Sequence, residues 1–235
     1  MSYRTAAGLL LGGVLAVGAT LGHSAQPTPA DAAKAKKALQ EVQDFIGVWN
    51  LEGLQKSAGK TEAWKEKVSW SWKFKGDDAW IVVEFAEGKG KYYSRGELRY
   101  LVDKKKYQLT LITPGKAEEV YLGELKAGTL KLERTDPKTG DVTRLSIETL
   151  ADGVRMQMKV EKQDGGKGPF SPVYQMAGNK DGESIAGVAK KPECIVTGGA
   201  ASIKVSYKDK DYFVCCTGCR DAFLENPEKF INKKK

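Results

Sequence analysis

Histidine is almost missing from this 235-residue chain: His23 is the single one, and it falls in an N-terminal stretch that we expect to be removed. A mature chain without imidazole excludes Ser-His-Asp and Cys-His catalysis, the usual zinc-hydrolase ligand sets and a proximal haem histidine. Long apolar runs are equally scarce. The one stretch of that kind, Ala6 to Leu21, follows Arg4 and precedes the small residues Gly22, Ser24 and Ala25, which is the layout of a secretory signal peptide. Residues 1–25 are therefore read as a signal cleaved near Ala25. The run is short and weakly apolar for a bilayer span, so no stable membrane insertion is expected after cleavage. No cysteine stands at the cleavage site to take a lipid, and the product should be periplasmic or secreted.

Nothing marks a nucleic-acid surface. The formal charge is +8, yet the lysines are scattered through turns such as Lys104-Lys105-Lys106 and the tail Lys233 to Lys235, without a basic face interleaved with aromatics. Paired acids such as Glu118-Glu119 and Asp77-Asp78 fall at strand starts or turns and read as surface charge rather than an acid/base pair. Gly88-Lys89-Gly90 and Gly165-Gly166-Lys167-Gly168 lack the strand-to-helix frame of a phosphate loop and read as turns. No enzyme is expected.

What is present is a long β-rich middle. Residues 26–44 form a spacer and a short helix, capped by Asp31 and reaching about Gln43, with Leu39 and Val42 on its apolar side. From there the period becomes two. Val68, Trp70, Trp72 and Phe74 alternate with polar residues, and comparable runs follow at Ala79–Ala86, Tyr92–Val102, Tyr107–Thr113, Val120–Leu125, Thr129–Arg134, Val142–Leu150, Val154–Glu161 and Val173–Met176. Gly- and Pro-containing turns join them, and no helical insertion is long enough for parallel crossovers, so the expected sheet is an antiparallel meander. Closure into a barrel over residues 45–177 would remove its two open edges. Met156 and Met158 read as core rather than as soft ligands.

Residues 178–192, rich in Gly, Lys and acids, read as a linker, and 193–235 as a small α+β module with a treble-clef-like arrangement. All four cysteines lie there: Cys194, Cys215, Cys216 and Cys219. So short a segment cannot bury a self-sufficient core, and a staple is expected. Ser202–Tyr207 and Asp211–Val214 should pair as a hairpin that delivers Cys215 and Cys216, while Cys219 opens a helix whose free N–H groups favour its thiolate. Asn226 and Pro227 then start a further turn, and Phe230 closes the core. Three uses of the thiols stay open at this point: a soft or borderline ion, Cu(I) or Zn(II), structural disulfides, or redox chemistry through Cys216-Thr217-Gly218-Cys219.

Two resemblances add to this. Phe45-Ile46-Gly47-Val48-Trp49 resembles the Gly-x-Trp opening of lipocalin-like (calycin) barrels, which implies a cup able to hold a small apolar ligand. Against it stands the reading in which Trp49, Trp70, Trp72 and Trp80 simply fill the core. More closely, Cys194-Ile-Val-Thr-Gly198, Val205-Ser-Tyr207, Tyr212 through Phe223 and Asn226-Pro-Glu-Lys-Phe230 resemble the YHS/TRASH family of heavy-metal-binding modules. The resemblance implies metal ligation by Cys194, Cys215 and Cys219. The family's histidine is absent, with Ile203 near its place, and Cys216 is the candidate fourth ligand. The alternative is an apolar-ligand carrier whose cysteine module is stapled by disulfides.

Overall fold

The computed structural model describes residues 28–183 and 191–232. The signal segment 1–25, residues 184–190 of the linker and the Lys233 to Lys235 tail lie outside the described residues. Among the described residues no helix is long and apolar enough to cross a membrane.

Helix α1, Pro29–Gln40, starts one turn earlier than the sequence suggests. Its cap is Thr28, whose Oγ1 accepts from the Asp31 amide at 3.2 Å, while Asp31 receives the Thr28 hydroxyl at 2.7 Å. Proline at the first helical position favours this start, because its missing N–H would be unpaired there anyway. Leu39 and Val42 are both buried, as their spacing implies, although Val42 already lies beyond the helix.

Ten antiparallel strands follow: β1 (Gly47–Ser57), β2 (Lys60–Lys75), β3 (Asp78–Phe85), β4 (Arg95–Leu101), β5 (Lys106–Ile112), β6 (Glu118–Lys126), β7 (Thr129–Thr135), β8 (Val142–Leu150), β9 (Arg155–Gln163) and β10 (Ser171–Lys180). Each pairs with its neighbours in sequence, and β1 pairs with β10 to close the barrel. The two-residue period decides what enters the lumen. Trp49 and Leu51, Val68, Trp70 and Trp72, Ile81 and Val83, Leu130 and Leu132, and Met156 all point inward, each 0 or 1% exposed. The expected cup is thus filled by the protein's own side chains along most of its length.

Trp80 departs from the expectation. It sits between inward Ala79 and Ile81 and therefore faces outward, where the Arg99 guanidinium lies 4.4 Å from its ring centroid. β4 also begins later than its β-prone sequence suggests. Tyr92 and Tyr93 leave the ladder because their side chains are captured at the barrel mouth, Tyr92 stacked on Tyr174 at 4.3 Å and the Tyr93 hydroxyl 3.0 Å from that of Tyr121. Glu119 is captured there as well. It accepts from Tyr93 and Tyr121 at 3.0 and 2.8 Å, so it is an inward group and not the surface charge that its pairing with Glu118 suggests.

The C-terminal part forms a hairpin, β11 (Ile203–Tyr207) and β12 (Lys210–Val214), then α2 (Thr217–Glu225) and α3 (Pro227–Ile231). Lys208 and Asp209, at φ 48° and 59°, make the tight turn. Asn226 accepts from the Lys229 amide at 3.2 Å and caps α3. Phe223, fully buried, packs between Tyr207, Tyr212 and Phe230. This small unit rests on the end of the barrel where α1 lies. Gln40 donates to the Thr197 carbonyl at 2.6 Å, Lys36 to that of Val196 at 3.2 Å, and buried residues of both parts form one continuous core.

Candidate metal centre

Three local devices bring the sulfurs together. The first is the turn that carries Cys194: its amide donates to the Gly199 carbonyl at 2.7 Å, and its carbonyl accepts from Gly198 at 2.8 Å. Gly198 sits at φ 84°, where a side chain would be strained. The Ile195 amide then bonds to the Phe213 carbonyl at 3.0 Å, which pins this turn beside β12. Second, β12 stops at Val214, so Cys215 and Cys216 lie in a bend and escape the opposed directions that a regular strand would impose. Third, α2 begins at Thr217, earlier than Cys219. Cys216 occupies the cap position and Cys219 the first turn.

The result is a buried cluster. The Sγ atoms of Cys194, Cys215 and Cys219 all lie within 4.8 Å of one another, and those of Cys215 and Cys219 are 3.4 Å apart. Thiolates bound at about 2.3 Å in tetrahedral geometry would stand roughly 3.8 Å apart, so the donor set fits a single soft or borderline ion. Cys216 Sγ is 3.9 Å from Cys215 Sγ but outside the set of mutually close donors. All four cysteines are free thiols. Cys194 thus stands with the other three, unbridged.

Their protonation follows from the crowding. Hydrogen bonds from Cys215 and Cys219 hold Cys194 well below the usual thiol range. Cys216 is lowered as well, first by Cys215 and Cys219, and then by the backbone amides of Cys219 and Trp72. Cys215 and Cys219 are pushed up because they keep the protons they share, chiefly with Cys194. A cation entering the cluster would displace those shared protons.

Two contributors had little sequence signal. Thr197 is buried, its hydroxyl 3.5 Å from Cys215 Sγ and 4.0 Å from Cys219 Sγ. Its position just before Gly198 in the turn was the available hint. Trp72, read only as core, also forms the floor on which α2 rests: a Cβ on Gly218 would lie 1.6 Å from its carbonyl oxygen. Its indole N–H donates to Gln43 at 3.0 Å. Beside this contact a cleft of about 580 Å3 runs between barrel and hairpin to Cys215 and Cys216, with Lys180 on its wall. The Lys180 ammonium donates to the Asp44 carbonyl at 3.1 Å, and burial lowers its pKa.

Fold and site together define a closed ten-stranded antiparallel barrel carrying a cysteine cluster that can hold a metal ion. No family model matches the chain, and no curated protein matches it. Among solved structures, one titled "Crystal Structure of Rv2717c from M. tuberculosis" is similar, at 17% identity and a TM-score of 0.43, over 61% of this chain and 97% of that one. A likeness at this level transfers no function.

Proposed function

We propose that this is an exported heavy-metal-binding protein, not an enzyme, in which a YHS/TRASH-type module holds Cu(I) or Zn(II) through cysteine thiolates. The observation that carries the reading is the convergence of Cys194, Cys215 and Cys219 from a turn, a bend and a helix start into one buried set. Cys194 is 21 residues from Cys215 in sequence, a separation that only the hairpin closes. Thiolate donors select soft and borderline ions over Mg or Ca. Cys216, beside Cys215, supplies the fourth donor when the ion is tetrahedral. Export rests on the signal-like run before Ala25.

The test is anaerobic titration of the mature chain with Cu(I) and Zn(II), using chelator competition. Serine at Cys194, Cys215 or Cys219 should each cost more than the roughly 10–100-fold expected of an outer-shell change. Serine at Cys216 should cost Zn(II) affinity more than Cu(I) affinity. If the triple Cys194→Ser, Cys215→Ser, Cys219→Ser chain binds both ions as the wild type does, the reading fails. The mass of the exported protein should correspond to cleavage near Ala25.

A further inference from the structure

At the barrel end away from the cysteines, the inward positions change character. Trp64 and Glu66 continue the inward parity of Val68, Trp70 and Trp72. Trp64 lies eight residues before Trp72, roughly 26 Å along the strand. Its indole lies flat over Gly53, where any Cβ would come within 2.1 Å of the ring. Tyr92 and Tyr174 meet it edge to face at 5.7 and 5.8 Å, and Glu66 accepts the indole N–H at 3.1 Å. The rings are therefore locked, and one face of Trp64 is left for something else.

That face holds an ammonium. Lys91 Nζ is 4.0 Å from the Trp64 centroid, 5.3 Å from that of Tyr92 and 2.7 Å from a Glu62 carboxylate oxygen. A lysine ordinarily extends its flexible stem to keep the charged tip in water. Here the tip is withdrawn from water at the mouth of an open-ended barrel. The loop has anchors besides that tip: the Lys91 amide donates to Glu66 at 2.6 Å and the Tyr92 hydroxyl to Gln55 at 2.6 Å. Rotating the lysine side chain outward would leave Trp64, Tyr92, Glu62 and Glu66 around a vacated cation position. Arg134, near this mouth, is directed to Glu119 at 3.9 Å.

We propose that this mouth is a binding site for a small organic ammonium ion, filled in the ligand-free protein by the chain's own Lys91. Aromatic faces flanked by carboxylates attract cations through ring quadrupole and charge, and reject uncharged molecules of the same shape. The site is independent of the thiolate cluster. It also replaces the apolar cargo expected of a lipocalin-like cup, since the lumen beneath it is filled. Lys91 sets the threshold: a ligand must outcompete a tethered ammonium at high effective concentration.

The test uses the full mature chain, wild type, Lys91→Ala and Lys91→Met, titrated calorimetrically with choline and with its uncharged isostere 3,3-dimethylbutan-1-ol. Both variants should bind choline at 1:1 and at least about tenfold more tightly than wild type, and neither should bind the alcohol. Adding Trp64→Leu to Lys91→Ala should abolish the gain while circular dichroism shows the barrel intact. Three results would overturn the proposal: equal choline affinity in wild type and both Lys91 variants, equal binding of the alcohol, or a gain that survives Trp64→Leu. Loss of the fold in both Lys91 variants would overturn it too, because the ammonium would then be a fixed structural member that no ligand can displace.

Discussion

Replacing Gly218 by alanine probes the contact on which the cysteine unit depends. The added methyl would lie 1.6 Å from the Trp72 carbonyl oxygen and 2.7 Å from its carbon. Ordinary contact needs about 3.5 Å, so α2 would have to retreat by roughly 1.5–2 Å. The opposing atoms are backbone of β2, held at Trp72 by its pairing with Ile81 of β3, so no side-chain rotation relieves the clash. Overpacking costs about 1–3 kcal/mol, and a rigid obstacle puts Gly218→Ala near 3 kcal/mol. For a chain of this size that is a fall of roughly 6–12 °C in melting temperature by scanning calorimetry, if the molecule unfolds as one unit. Metal affinity should fall as well, since Gly218 stands between Cys216 and Cys219. Gly115→Ala is the control: only the Thr113 hydroxyl lies within 4 Å of the added carbon, so its melt should stay close to wild type. A Gly218→Ala protein that melts with the Gly115→Ala control and binds metal normally would refute the docked arrangement.

Gln43→Ala should cost about 1–3 kcal/mol in urea unfolding, because it leaves the fully buried Trp72 indole N–H without its acceptor. Asp141 is lowered from 3.8 to about 2, first by the Gly165 amide and then by Lys162 and Thr139. A carboxylate whose pKa is depressed on folding contributes stability that is present above pH 3.8 and lost as pH falls through about 2. The stability difference between wild type and Asp141→Asn, followed by thermal melts, should therefore shrink across that window; a constant difference would contradict the hydrogen bonding at the turn.

Strand identity was legible because side-chain alternation is a local property: Val142–Leu150 appears in the structure with the bounds its pattern implies. The beginning of β2 was not, because Lys60 to Lys67 is mostly polar and its Trp64 and Glu66 enter a polar mouth rather than an oily core. The same blindness made Glu119 look like surface charge and Tyr92 look like strand. In each case a partner from a distant strand decides the outcome. For the cysteines, type and spacing narrowed the chemistry, and the helix start added a reason for thiolates. That Cys194 joins the set depended on the pairing of Ile195 with Phe213, which spacing does not encode.

By itself, then, the order of residues determined an antiparallel β architecture with one apolar face and a sulfur-rich end, since periodicity and donor chemistry are written one residue at a time. Tertiary structure alone decided that β1 meets β10, that three sulfurs share one buried space, and that the module sits on the carbonyl of Trp72. These outcomes require residues far apart in the chain to fall within a few ångströms, and only the closed sheet and what packs on its ends impose that.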